Sequence, residues 1–340
     1  MPGINAQRLA GQTLETDVCI VGAGAAGITI ARELAGRSAH VCLVEAGGLE
    51  PDADIQALYA GTADGSTDPS YTSTTRRRYF GGSTNCWAGW CRPFDAIDFE
   101  AKPWLQHSVA WPFTRAEIER YYKRAATIVE VEPYNDLSRS EPSELGDLRL
   151  LPIRDSPPTR FGMKYRQELF DARNITTLLF ANAKEFVPNA ARTRIDVLEV
   201  VARDKTALKI RARLFVLASG GMENPRILLN SRSAIENGVG NHTGVLGRFF
   251  MAHTPIWGFG VATLTGSFLD RLHSGMSSPG HPTVTLSDDV QRQNKLMNAG
   301  FHLLLTKAAE PSARVVEALH PLFSSEIGRA SCRERVYVLV

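Results

Sequence analysis

Apolar and polar positions follow three different periods along the 340-residue chain, and each period predicts a different element. Residues 17–22 read DVCIVG, a short run rich in β-branched residues, which predicts a strand buried on both faces of a parallel sheet. Residues 25–36, AAGITIARELAG, place Ile28, Ala31 and Leu34 on one helical face, with Gly36 as the stop. HVCLVE, residues 40–45, predicts a second strand ending in Glu45. Leu214 to Ala218 predicts another buried strand, with Gly220 and Gly221 in the turn after it and MENPRILL opening a helix, Pro225 lying in its first turn. Thr114 and Glu117 form a capping box that opens a helix over 114–131, which Pro133 ends. Residues 134–160 are polar and Pro-rich and read as a long connection. From Thr254 onward the period drops to two, in IWGFGVATL, HPTVTLS and MNAGFHLLL, which predicts antiparallel strands.

The first of these segments carries chemistry. Gly22, Gly24 and Gly27 give G-x-G-x-x-G between a strand and a helix, and Glu45 closes the next strand. Gly22 permits the tight turn, Gly24 lets backbone approach a pyrophosphate, and Gly27 lets helix and strand pack closely. The helix start aims free N–H groups and a partial positive charge at phosphates. Glu45 suits a ribose 2′-hydroxyl and repels a 2′-phosphate, which disfavours NADP. The alternative is a structural glycine turn in another α/β fold; strand, glycines, helix, strand and acid in order favour the dinucleotide.

Composition excludes more than it selects. Apolar residues make up 44%, charged residues 22%, and the net charge is +2, so no strong field calls for nucleic acid or an anionic membrane. No apolar run is long enough to span a bilayer, and no basic segment with an apolar core opens the chain, so a cytoplasmic location is expected. Five cysteines without regular spacing argue against a disulfide framework, and Cys86 and Cys91 lack a second pair at zinc-ligand spacing, so no metal is expected.

The segment Tyr79–Glu100, YFGGSTNCWAGWCRPFDAIDFE, separates FAD from NAD. Its small residues, mixed with Trp87 and Trp90, suit backbone lying against a large flat ring. Three blocks, TDVCIVGAGAAGITIARELAG with VCLVEAGG, GGSTNCWAGWCRP with FDAIDFE, and FVLASGGMENPRILL followed by LGRFFMAH, occur in order across residues 16–253. With them the chain resembles the glucose–methanol–choline (GMC) family of FAD-dependent oxidoreductases. An NAD-dependent dehydrogenase and a flavin-binding chain without turnover are the rivals.

The resemblance implies an α/β, Rossmann-like FAD-binding domain over 14–100 and 161–253. It also implies a partial α+β substrate domain with an antiparallel sheet over 101–160 and 254–325. It implies Gly22, Gly24 and Gly27 at the pyrophosphate, Glu45 with Ala46 at the ribose, and Gly81, Gly82 and Ser83 along the pyrophosphate and ribityl chain. Cys86, Trp87 and Ala88 are expected by the isoalloxazine, Ala183 at the adenine, and Ala218 and Gly220 over the ADP. The Cys86–Trp87 pair is nearer the branch acting on sugars and polyols. A thioether from Cys86 to the flavin is one reading there, and a small buried residue beside a non-covalent flavin is the other. The implied reaction is oxidation of an alcohol, sugar or polyol, with oxygen, a quinone or a cytochrome as electron acceptor. Arg76, Arg77 and Arg78 read either as phosphate contacts or as a solvated loop, and Tyr121 and Tyr122 as pocket-facing or packing residues. The family's base is a histidine near its C-terminus; His253 and His302 read as structural, so no catalytic base is assigned. Residues 326–336, EIGRASCRERV, resemble translated sequencing adapter, so residues 326–340 are expected to be a non-native tail, with the true frame continuing past Ser325 to the catalytic histidine. A genuine basic tail is the alternative.

Overall fold

The computed structural model describes residues 3–62, 71–105, 110–133, 147–250, 260–263, 280–305 and 335–339. Contacts divide the chain into two units, Met1–Trp87 with Thr159–Met251 and Ala88–Pro158 with Ala252–Val340. In chain order the strands are β1 Ile4–Asn5, β2 Thr13–Val21, β3 Val41–Val44, β4 Trp90–Cys91, β5 Leu148–Asp155, β6 Ile175–Leu179, β7 Ala181–Pro188, β8 Ile195–Ala202, β9 Ala207–Leu217, β10 Gly260–Thr263, β11 Gly280–Leu286, β12 Gly300–Leu305 and β13 Arg335–Leu339.

The first unit is built on one sheet in the order β1-β6-β3-β2-β9-β8-β7. Pairing is parallel from β1 through β9 and antiparallel from β9 through β7. This is the Rossmann-like α/β class. The helix Ala25–Leu34 connects β2 to β3 and buries Gly27, Ile28 and Ala31 on the sheet, while Gly36 takes the positive φ of 71° that ends it. The chain then steps outward to β6 on one side and returns to β9 on the other, so the strand order reverses at β2. In open α/β sheets that reversal leaves a crevice beyond the carboxyl ends of the strands. The core on the opposite sheet face joins Cys19, Val21, Cys42, Val44, Leu198, Val200 and Ile210. Cys19 and Cys42 are register partners on β2 and β3, free and fully buried. The hydrogen bond between the two thiol groups and their burial push Cys19 well above the ordinary thiol range.

The second unit holds an antiparallel sheet in the order β10-β13-β12-β11-β5-β4. Its strand β5 corrects the expectation of a continuous connection over 134–160. Leu148–Asp155 pairs along β11 from Leu148↔Leu286 to Arg154↔Gly280. Pro152 is tolerated because β4 pairs only Arg154 and Asp155, so at Pro152 the strand has a single neighbour. Residues 134–146 lie outside the described residues. The helix opened by Thr114 has its capping box but ends at Ile128, three residues before the expected end, with Glu130 turning at φ 59°. Tyr122 is held in packing, its hydroxyl accepting the Phe94 N–H at 3.4 Å, and Tyr121 is exposed. His302 lies on β12 opposite Thr283 of β11. Residues 335–339, within the segment read as foreign, form β13, antiparallel to β10 and β12. His253, the Ile256–Phe259 part of the first expected late strand and residues 326–334 lie outside the described residues. No described helix is long and apolar enough to cross a membrane.

Candidate functional site

The crevice at the strand reversal is a cavity of about 500 Å³, within the size range of small-molecule sites. Three strands of the first unit bring their carboxyl ends to its lining: Val21 and Gly22 at the end of β2, Val44 to Ala46 at the end of β3, and Leu217 to Gly221 at the end of β9. Ala25 and Ala26, at the start of the Ala25–Leu34 helix, add backbone N–H groups that have no partner inside the helix.

Three glycines of the fingerprint do three different jobs. A Cβ on Gly27 would stand 1.8 Å from the Gly22 carbonyl oxygen, so only glycine lets this helix reach the strand. Gly22 turns at φ 103°, where a side chain would also strike the Ala218 backbone. Gly24 has nothing within 4 Å of its ideal Cβ, and neither do Gly220 and Gly221. These three present bare backbone to open space on two sides of the cavity. That is a cradle in which a flat or extended polyanion can touch peptide N–H groups directly.

Glu45 is buried at the end of β3. Its two carboxylate oxygens accept the Ala23 N–H at 3.0 Å and the Gly47 N–H at 2.9 Å. Burial raises its pKa despite those amides and the nearby Arg78. A carboxylate retains further acceptor capacity in this arrangement, so a sugar hydroxyl has a partner.

The second glycine-rich segment meets the first. The Gly81 N–H donates to the Ala23 carbonyl at 2.8 Å, and a Cβ on Gly82 would stand 2.9 Å from Gly24 Cα. Gly82, Ser83 and Thr84 therefore line the cavity, as do Ala183 from β7 and Ala218 and Gly220 after β9. Gly81 does not line it. Its φ of 100° and the closeness of Asn85 and Gly162 make it the hinge of the segment. Gly27 is likewise a packing position under the cavity floor.

Cys86 and Trp87 do not line the cavity either, and Ala88 opens the second unit. Cys86 is exposed. Trp87 is anchored by its indole N–H on the Thr159 carbonyl at 3.0 Å, and Arg160 donates to the Thr84 and Trp87 carbonyls, both at 2.9 Å.

The arginine run departs furthest from a solvated loop. Arg76, Arg77 and Arg78 all line the cavity, and Arg78 is buried. Arg76 and Arg78 each reach the carboxylate of Glu223, at 3.0 and 3.2 Å, and Arg226 joins it at 2.8 Å. Arg78 also donates to Asn182 Oδ1 at 3.2 Å. Burial acts to raise the Glu223 pKa, but Arg226, Arg78 and Arg76 together hold it below the usual carboxylate range. Tyr59 lies beneath the guanidinium groups, and burial pushes its phenol upward. In the sequence, MENPRILL reads as a helix start and as part of the third family-like block, without a role for Glu223. An acid in the first turn of that helix and three consecutive arginines are the only sequence signals of this cluster, and nothing local joins them. Asn224, also on the lining, accepts the Ser219 N–H at 2.8 Å and braces the turn after β9. Among the described residues no group of acids, histidines and cysteines can hold a metal ion.

Comparison with known proteins adds three findings. The profile of the FAD dependent oxidoreductase (DAO) family matches residues 17–236, more than half of the chain. No curated protein matches the sequence. Among solved structures, formate oxidase is similar at 15% identity and a TM-score of 0.54, covering 97% of this chain and 73% of its own. Pyridoxine 4-oxidase from Mesorbium loti is similar at 18% identity and a TM-score of 0.45, covering 63% of this chain, and a fungal aryl-alcohol oxidase at 16% identity and 0.41, covering 64%. The chain spans about half the length of these last two, 51% and 47%.

Proposed function

The chain belongs to the FAD dependent oxidoreductase family and its cofactor is FAD; from that premise we propose that it is a GMC-type flavoprotein that oxidises the CH–OH group of an alcohol, sugar or polyol. The observation that carries the reading is the bare-backbone cradle of Gly24, Gly220 and Gly221 around a cavity lined by the buried Glu45. Gly22 and Gly24 with the helix N-terminus hold the pyrophosphate, Gly27 keeps the helix close enough to do so, and Glu45 with Ala46 takes the ribose. Gly82 and Ser83 continue the path toward the ribityl chain, with Gly81 fixing their turn. Ala183 meets the adenine, and Ala218 and Gly220 close over the ADP. Cys86, Trp87 and Ala88 follow the cavity-lining part of the segment in the chain, and their exposure or anchoring suits a ring reached beyond the ADP half. A bound flavin would supply the hydride acceptor for oxidation of the carbinol carbon. The chain's own residues bind and orient the cofactor; the proton acceptor is a histidine that none of the described cavity-lining residues supplies. Oxygen, a quinone or a cytochrome takes the electrons onward.

The test is reconstitution of the purified chain with FAD, followed by assay on an alcohol and sugar panel with an artificial acceptor. A retained flavin absorbance spectrum and substrate-dependent bleaching are expected. A chain that returns colourless from excess FAD refutes the reading. A spectrum without bleaching on any alcohol leaves the flavin site and removes the alcohol chemistry, which is the reading of a flavin-binding chain without turnover.

A further inference from the structure

The positive charge around the cavity exceeds what its own carboxylates neutralise. Arg76, Arg78 and Arg226 converge on the single carboxylate of Glu223, so the cluster keeps a surplus of positive charge. Two of the three guanidinium groups lie on the cavity lining. Arg78 is 8% exposed, and its Nε has no hydrogen-bond partner among the described residues. A buried donor left without a partner is costly, and a bound anion beside the cluster would complete it. Glu45 acts on Arg78 only through space, its oxygens accepting the Ala23 and Gly47 N–H groups, and counting it still leaves three guanidinium groups against two carboxylates.

The cluster is also held still. Arg76 donates from Nε and Nη2 to the Thr72 carbonyl at 2.9 and 2.7 Å, and its Nη1 is fixed by Glu223. Arg78 is fixed at Nη1 by Glu223 and at Nη2 by Asn182. The Tyr59 ring lies 3.9 and 4.8 Å from the two guanidinium carbons. Each terminal nitrogen still has a second N–H to give. Resting on the FAD reading above, we propose that Glu223 is a positioning residue. It holds Arg76 and Arg78 as a preorganised pair for the diphosphate of the dinucleotide's adenosine half. Charge without orientation attracts weakly in water; a fixed pair in a cavity recognises an anion by geometry.

The experiment titrates the full chain with FAD, with ADP and with adenosine. The wild-type chain binds FAD, and ADP more tightly than adenosine. Glu223→Gln makes the cavity more positive by one charge, so simple attraction would tighten ADP, whereas loss of orientation weakens it. The expected result is a loss of about tenfold in ADP affinity for Glu223→Gln and for Arg76→Gln, with adenosine changed less than about twofold. Tighter ADP binding by Glu223→Gln overturns the proposal, as does an equal loss for both ligands. Far-UV circular dichroism checks that each variant folds. If Glu223→Gln does not fold, Arg76→Gln, which leaves Glu223 two arginine partners, decides alone: an unchanged preference for ADP over adenosine overturns the proposal. A wild-type chain that binds neither FAD nor ADP removes the FAD reading itself, a result distinct from these.

Discussion

Two glycine-rich segments approach each other at the cavity, and they differ in what holds their shape. The turn over residues 22–27 is set largely from within its own βαβ unit, the closeness of the Ala218 backbone to Gly22 aside. Gly27 packs on the Gly22 carbonyl five residues away, and Glu45, at the end of the adjacent strand, ties down Ala23. The turn Gly81–Trp87 is set from far along the chain. Gly162 packs on the Phe80 carbonyl, Arg160 binds the Thr84 and Trp87 carbonyls, and Thr159 anchors the Trp87 ring. A local motif therefore builds the first segment, and tertiary structure builds the second.

Substitutions at these glycines test that difference. The largest effect is expected for Gly27→Ala, whose new methyl would sit 1.8 Å from the Gly22 oxygen. Because both partners are backbone, the helix must move, at a cost of about 3 kcal/mol or more in thermal or denaturant unfolding. A fold as stable as wild type in that variant would break the comparison. Gly162→Ala comes next. Its Cβ would stand 2.4 Å from the Phe80 oxygen, so a substitution some eighty residues away should deform the second segment. A loss of about 2 kcal/mol is expected in unfolding, with a shift in Trp87 fluorescence marking the local site. Gly24→Ala separates binding from folding. Its Cβ meets nothing within 4 Å, so stability should fall by less than about 1 kcal/mol. FAD affinity measured by flavin fluorescence should fall on the order of tenfold, since the methyl occupies the space where backbone meets phosphate. Equal FAD affinity would remove Gly24 from the phosphate path.

The smallest effect is one of pH. Glu223 has its pKa lowered in the folded chain, so its ion cluster contributes stability that is fully present above the ordinary glutamate value of about 4.3 and is lost as pH falls through the depressed folded value. The melting temperature of wild type should drop on acidification below about pH 4 more steeply than that of Glu223→Gln. Parallel curves would show that the cluster gives no net stability.

The same division explains which features the sequence reveals. The β2 strand, the Ala25–Leu34 helix, β3 and the acid that ends it are legible because period, glycine spacing and order all act within thirty residues. The C-terminal end of β9 from Leu214, strand β11 and the capped helix at Thr114 are legible for the same reason, whereas residues 207–213 of β9, which pair with β2 and β8, are not. Strand β5 is not, because Pro152 outweighs alternation that only its partner β11 rewards. The arginine cluster is not legible either. Arg78 and Glu223 are 145 residues apart, and only the fold turns a charge run that reads as surface into a buried group on the cavity wall. Gly81, Cys86 and Trp87 were visible as a group but not sorted into hinge, exposed thiol and anchored ring, since Gly162, Thr159 and Arg160 do the sorting.

The paired thiols of Cys19 and Cys42 give the parallel sheet an internal clock. Both lie at zero exposure on neighbouring strands at the centre of the sheet order, and β2 and β3 run directly into the cavity floor. Cys86, by contrast, is open to reagent in the folded chain. Among the described cysteines, a thiol-reactive dye thus reacts early at exposed Cys86 and half-buried Cys91, and a slow phase waits for β2 and β3 to part. The slow phase measures how often the dinucleotide half of the sheet breathes, and any ligand that bridges the ends of those two strands must lengthen it.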